Sequence, residues 1–473
     1  MTTSTTIGAP SVAALSLNGG NYWLDSAGKA KMRSPLQASM AADVVIVGGG
    51  FSGLWTAYYL LKQAPSLSVV VVEKHYCGYG ASGRNGGWCS PRFPVDADAL
   101  IRRHGRETAR ECILAATAGV EEIGRVIDEE GIDADYRTRG LLILARRPEH
   151  LASLSATQAT FEGLGLGAHN QLMSRHEAYE RVHATEVYGA LACPHGALVH
   201  PLKLVRGLAA AVERLGGVIF EGTPVTAVER RPRSLAVTRF GSVEARRALV
   251  IASEAYSTAM SGLHRDLLPM SSMIAATEPL TPAQWSSIGW NAGEGISSCS
   301  PLKPYVTKTP DGRVLFGSRG APYFFASKMP ESELADDSLY EPLRAKAREW
   351  FPILNDVRFT HAWGGFLGVP RDWMPFVWFD EESRYARLSG YTGRGVTTSN
   401  IGARLLAGLI AGNATGLERL PMARCSFPRW EREPLRFAAV RYVQNTLTRM
   451  EAADARSERR PWDSPVADFL SHQ

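Results

Sequence analysis

Residues 43–87 constrain this chain most. Val44, Val45, Ile46 and Val47 are apolar without a break, as suits a parallel strand covered on both faces. Gly48, Gly50 and Gly53 follow in G-x-G-x-x-G spacing. The first glycine makes a tight turn, the second lets backbone approach a pyrophosphate, and the third lets a helix pack on the strand. Phe51 and Ser52 open that helix, predicted from Ser52 to Leu61, whose N-terminus offers N–H groups and a positive dipole end to phosphate. A second apolar strand, Val69 to Val72, ends at Glu73, 20 residues after Gly53. An acid there hydrogen-bonds a ribose hydroxyl. Strand, glycines, helix, strand and terminal acid in this order predict a dinucleotide site.

The next residues bear on which dinucleotide. Lys74 is followed by Gly80-Ala81-Ser82-Gly83-Arg84-Asn85-Gly86-Gly87. A second small, polar, glycine-rich loop has no obvious use in an NAD site; a larger dinucleotide needs more backbone N–H groups along its length. A third glycine-rich loop, Gly390-Tyr391-Thr392-Gly393-Arg394-Gly395, precedes a predicted helix from Val396 to about Ile410, ended by Gly412. Such a helix start, with Thr397 in its first turn, suits the negative charge that a reduced flavin ring carries.

Glu73-Lys74, the G-A-S-G-R-N-G-G loop and G-Y-T-G-R-G resemble the motifs of the D-amino-acid-oxidase-like superfamily of FAD-dependent amine oxidoreductases. The resemblance covers roughly residues 20–425. It is strongest to the glycine/sarcosine-oxidase-like branch, near the γ-glutamylputrescine oxidoreductases and the aminophosphonate oxidoreductases. It implies an α/β fold combined with an α+β part: a Rossmann-like FAD domain on a parallel sheet, interleaved with a substrate domain on an antiparallel sheet. It implies non-covalent FAD, with Ala81 to Gly87 along the pyrophosphate and ribityl chain and Gly390, Gly393, Arg394, Gly395, Val396 and Thr397 at the ring. Val225 joins the nucleotide site. The segment His361 to Pro375, with Trp363 and Gly364, passes beside the ring. The implied reaction moves hydride from a carbon bearing an amine nitrogen to flavin N5. The resulting imine is hydrolysed to carbonyl and amine, and O2 or another acceptor reoxidises the flavin.

No substrate is implied. Relatives often carry Tyr-x-Arg where this chain has Tyr305-Val306-Thr307, and Thr307 cannot serve an anionic group. Arg319 and Arg394 remain candidates for that role. Tyr305, His361 and Trp363 are further candidates to touch substrate. Flavin dehydrogenation of an amine needs neither catalytic triad nor metal, and the cysteines show no metal-ligand clustering.

Composition bounds the rest. A net charge of +5 over 473 residues, with dispersed arginines, gives no case for nucleic acid. No apolar run reaches the roughly 18 residues of a membrane span. Six unclustered cysteines and no basic leader read as reduced thiols in a cytoplasmic protein. The predicted organisation is an N-terminal extension (1–40, its first 20 residues mobile, Asn21 to Ser26 docked), a discontinuous FAD domain (41–105, 195–260, 360–425), a substrate domain (106–194, 261–359) and a C-terminal helical tail (426–473). Residues 148–185 are predicted helical, and Val225 to Val228 to continue the parallel sheet. The alternatives are a flavin monooxygenase, a non-catalytic flavoprotein subunit and a plain NAD dehydrogenase. The first needs a second nucleotide-binding unit, which Gly390–Gly395 does not supply, and the last leaves two glycine-rich loops without a purpose.

Overall fold

The structure, a computed structural model, describes residues 20–230, 233–319, 323–330, 333–456 and 458–471. The N-terminal stretch expected to be mobile lies outside them up to residue 19.

Two large sheets organise the chain. In the first, Met40–Val47 pairs in parallel with Val69–Val72 on one side and Gly241–Ile251 on the other. Val218–Phe220 extends the sheet beyond Val69–Val72, and Tyr385–Ser389 beyond Gly241–Ile251, both in parallel. Val44, Val45 and Ile46 are fully buried because helices cover one face and the chain returns over the other. Phe51–Gln63 and Gly395–Ala411 are buried over most of their surface and share one core with Val44 and Ile46. Val225–Glu229 does not continue the parallel sheet. It turns back against Ser234–Thr238, which pairs antiparallel with Gly241–Ile251.

The second sheet runs Phe359–Val369, Leu268–Thr277, Val314–Ser318, Tyr305–Lys308, Gly295–Ser298, Leu141–Ala145, Gly189–Cys193 and Gln171–Met173. It is antiparallel except where Gly295–Ser298 meets Leu141–Ala145. Gln171–Met173 interrupts the stretch read as helical, leaving helices Pro148–Gly163 and Arg175–Arg181.

Two segments pack across the predicted boundaries. Residues 106–130 continue the helix Ala97–Glu130, whose Ala109, Cys112, Ala116 and Val120 pack in the core of the first sheet rather than the second. Its apolar face needs a partner, and the helix Gly395–Ala411 supplies one. Phe359–Val369 belongs to the second sheet, paired along Leu268–Thr277, so the segment 360–425 divides at Val369.

The flanks are anchored. Asn21 caps the helix Tyr22–Ser26 and donates to Gly83 O at 3.3 Å. Trp23 Nε1 donates to Asn85 O at 2.7 Å, so the docked extension holds the second glycine-rich loop from outside. The tail forms the helix Leu435–Ala455, with Val440 and Met450 buried. All six cysteines are free, and no helix among the described residues is long and apolar enough to cross a membrane.

Candidate active site

The first-sheet strands Met40–Val47, Val69–Val72 and Gly241–Ile251 end at one continuous cavity of about 2100 Å³, which the second sheet closes. Ordinary ligand pockets measure ~300–1,000 Å³, so a dinucleotide and a second molecule fit together.

At one end the walls are backbone. Gly48 turns at φ +115°, and a Cβ on Gly53 would stand 2.0 Å from Gly48 O; this contact lets the helix Phe51–Gln63 leave the strand so steeply. That helix has no side-chain cap and no acid in its first turn, and Gly50, Phe51 and Ser52 face the cavity. By contrast, Ser174 and Thr281 close the starts of Arg175–Arg181 and Pro282–Ile288 with their own side chains. A second uncapped helix start, Gly395–Ala411, opens on the same cavity through Gly395 and Val396. Two positive helix ends converging on one space suit an extended anionic ligand.

Most predicted cofactor residues meet here. Gly48, Gly50, Phe51, Ser52, Glu73 and Lys74 line the cavity, as do Gly80, Ala81, Ser82, Arg84, Asn85 and Gly86. Val225, Gly393, Arg394, Gly395 and Val396 line it as well. Ser82 Oγ accepts from Phe51 N at 2.9 Å, joining the two glycine-rich loops. Glu73 accepts from Gly49 N at 2.7 Å and His75 N at 2.8 Å, and burial pushes its carboxyl above the usual range. Ser253 Oγ is buried without a partner at the wall, a polar atom that a bound ligand would satisfy. The glycine cradle, the helix ends and this hydroxyl fit FAD.

Other predicted residues act from behind the wall. Gly53 and Gly87 pack against backbone oxygens. Gly364 O accepts from Arg84 Nη1 at 3.2 Å. Thr397 turns its methyl toward Gly119. Gly390 N is not open to a ring. It donates to Glu254 Oε1 at 3.0 Å, beside Tyr391 N at 3.4 Å, while Glu254 Oε2 accepts from Gly368 N at 2.6 Å. Glu254 is the residue that sequence reasoning missed. It sits at φ +47° just beyond the Gly241–Ile251 strand, and burial pushes its carboxyl up to about 7. A buried carboxylate needs donors, so it takes the N–H groups expected to face the cofactor. Its only sequence signal is an acid placed directly after an apolar parallel strand.

At the other end the walls are side chains. Tyr305 and Arg319 line the cavity, with Lys303, Ser272 and Trp88. Tyr305 passes within 2.2 Å of where a Cβ on Gly317 would stand, so glycine there makes room for its ring. Its hydroxyl lies 3.3 Å from Ser272 Oγ, and burial pushes it up to about 12, which leaves it protonated at neutral pH. Arg394 pairs with Asp96 at 3.2 Å and donates to Phe93 O. Thr307 is structural: its hydroxyl donates to Gly86 O at 2.9 Å and accepts from Trp88 Nε1 at 2.8 Å.

Two predicted substrate contacts are absent from the cavity lining. Trp363 is fully buried and donates to Arg84 O at 2.9 Å; it supports the loop from the far side because inward-facing positions of its strand meet the core. His361 lies outside the cavity, 3.4 Å from Asp25 and against the Tyr22 ring, where the docked extension covers its strand. Cys89 is buried and away from the lining, its thiol pushed up by burial.

Comparison with known proteins agrees with this geometry. The family model for the FAD-dependent oxidoreductases termed DAO matches residues 43–409. γ-Glutamylputrescine oxidoreductase of Escherichia coli K12 is 30% identical over 397 residues, 83% of this chain and 89% of that protein. Among solved structures, glycine oxidase from Geobacillus kaustophilus superposes with a TM-score of 0.67 at 22% identity, over 81% of this chain and 98% of that one. L-proline dehydrogenase from P. horikoshii gives 0.64 at 20% identity, over 82% and 96%. The chain belongs to the DAO family of FAD-dependent oxidoreductases.

Proposed function

We propose that this protein oxidises the C–N bond of a small-molecule amine or amino-acid derivative to an imine, which water then hydrolyses to a carbonyl compound and an amine. The observation that carries the reading is the single cavity with a backbone-lined nucleotide end and a polar, side-chain-lined end, in a chain of this family. The names of its relatives support an amine as the substrate: one acts on γ-glutamylputrescine and another on glycine. When bound, FAD supplies the hydride acceptor, at N5, and the two electrons pass on to O2 or to another acceptor.

The chain's own residues would then have these roles. Gly48, Gly50 and the helix start at Phe51 hold the pyrophosphate, and Glu73 holds the ribose. Gly395 and Val396 present the second helix end to the flavin. Glu254 fixes the end of the strand Phe359–Val369 at Gly368 and the loop at Gly390 at one spacing. Tyr305 donates its O–H toward substrate; it is not a base, because it stays protonated to about pH 12. Burial and the neighbouring Arg319 both disfavour a protonated amine, which keeps the nitrogen lone pair available as hydride leaves.

The test is anaerobic mixing of the yellow holoprotein with a panel of primary and N-alkylated amines. Loss of the oxidised flavin absorbance on mixing is the expected result. Bleaching by NADPH without any amine, or none across the panel, overturns the reading.

A further inference from the structure

The substrate end of the cavity has a floor, and two aromatic rings pave it. The floor is one face of the second sheet, since side chains directly across a strand pair share a face. Tyr305 pairs with Gly317 on one side and with Ser297 on the other. Ser297 pairs in turn with Ile143, and Gly317 with Ile274. Ile274, Tyr305, Ser297 and Ile143 all line the cavity, so this row faces it. Residues two apart in a strand also share a face. Thr307 therefore stands beside Tyr305, and Gly295, paired with Leu141, beside Ser297.

Glycine occurs on this face where a ring lies on it. A Cβ on Gly317 would stand 2.2 Å from the Tyr305 ring, and one on Gly295 would stand 2.7 Å from the Trp88 indole. From the loop side, a Cβ on Gly86 would stand 2.6 Å from the Tyr305 ring. Three glycines on separate segments thus make room for two rings. The rings meet edge to face, with centroids 6.1 Å apart and planes at 68°, the arrangement that aromatic quadrupoles favour.

Trp88 comes to the floor from elsewhere. Its strand, Trp88–Cys89, pairs with Ala197–Leu198 and not with the second sheet. The indole reaches across and donates Nε1 to Thr307 Oγ1 at 2.8 Å, while that hydroxyl donates to Gly86 O at 2.9 Å. Thr307 is buried, so water does not compete for the bond. The N–H end of the indole is fixed, and the half-buried ring lines the cavity.

We propose that Trp88, held over the floor by Thr307, is a specificity-determining residue, and that with Tyr305 it forms a subsite for a flat apolar group, so that the preferred amine carries an aromatic ring. This rests on the amine-oxidising reading above and narrows it. An aromatic ring gains contact with either floor ring beyond what its area alone gives, and a puckered ring of the same size does not. Leu141 and Ile143 beside the indole add apolar surface without a preferred geometry. The cations at this end act on charge, so a pair of neutral probes isolates the floor.

Two measurements on the holoprotein test this. The first titrates benzamide and cyclohexanecarboxamide, read by the flavin difference spectrum, and needs no turnover. Wild type should bind benzamide at least about fivefold tighter. Trp88→Leu should abolish that difference with flavin content unchanged, and Trp88→Phe should keep most of it. Thr307→Val, which accepts no hydrogen bond, should lower the difference at least about twofold, and Thr307→Ser should not. The second measurement compares kcat/KM for 2-phenylethylamine and 2-cyclohexylethylamine, whose reacting carbon is not conjugated to the ring. The phenyl amine should be preferred, and Trp88→Leu should lower the ratio at least about fivefold. Equal binding of the two amides by wild type, or a difference that survives Trp88→Leu, overturns the subsite. A preference for the cyclohexyl amine does so as well, and an undiminished difference in Thr307→Val removes the hold assigned to Thr307. If no amine reduces the flavin but benzamide is still preferred through Trp88, the subsite stands and the amine-oxidising reading falls.

Discussion

The two ends of the cavity are built from different materials. The nucleotide end consists of strand ends, glycines and uncapped helix starts, with Gly48, Gly50 and Phe51 adjacent in the chain and Ser82 bonded to Phe51 N from the next glycine-rich loop. The substrate end consists of Ser272, Lys303, Tyr305 and Arg319 from the second sheet and its loops, with Trp88 and Arg92 from the short strand Trp88–Cys89 and the loop after it. Backbone geometry binds any molecule with the right phosphates, so it suits a shared cofactor. Side-chain chemistry is changed one residue at a time, so it suits a particular substrate.

The comparison predicts that a single added carbon damages the nucleotide end most. In Gly53→Val the new Cβ would lie 2.0 Å from Gly48 O, and strand and helix must move apart. The variant should purify colourless, with FAD content near zero by absorbance; a yellow Gly53→Val protein breaks the claim that backbone packing makes this end.

The substrate end should respond in degree. Arg319→Lys keeps the charge but loses the planar donor pair at the cavity wall, so KM for an amine that reduces the flavin should rise about tenfold with kcat within about threefold, read by steady-state kinetics. An equal fall in kcat would place Arg319 in the chemical step and blur the contrast.

Glu254 stands between the two ends and gives a pH test. Its folded carboxyl titrates near 7 against an ordinary 4.5, so between these values the fold holds a proton that the unfolded chain has released. Its contribution to stability is therefore fully present below about pH 4.5 and is lost as pH rises to about 7. Denaturation midpoints of wild type should fall, relative to those of Glu254→Gln, across that window and run parallel above it. Parallel curves throughout would show that its three N–H donors already offset its burial.

The smallest effects should come from the two residues that the structure moves away from substrate. Trp363→Phe loses the bond to Arg84 O and should cost about 0.5–1.5 kcal/mol of stability by denaturant titration, with KM unchanged. His361→Ala should alter kcat/KM by less than about twofold, as for a side chain outside the cavity.

These outcomes bear on what could be read before the fold was known. The span from Val44 to Gly87 was legible because its function lies in local backbone: glycine spacing, strand apolarity and a helix start are all set by neighbours in sequence. The loop Gly390–Gly395 was legible for the same reason, but two of its N–H groups were not, since Glu254 reaches them across 136 and 137 residues. The positions of Trp363 and His361 away from the cavity lining were not legible, because a strand's two faces cannot be told apart until its partner is known; pairing with Leu268–Thr277 and the docked Tyr22–Ser26 helix decided that. Arg319 was a candidate from the sequence, but Lys303 and Arg92 had no motif to mark them.

The sequence by itself determined that this chain binds a dinucleotide of the flavin kind and in which segments, because short-range stereochemistry leaves few other uses for those glycines. Only the tertiary structure decided which side chains meet at the substrate end, since electrostatic proximity is a property of distances in space, and residues such as Arg319 and Arg394 become neighbours only after the second sheet has closed over the first.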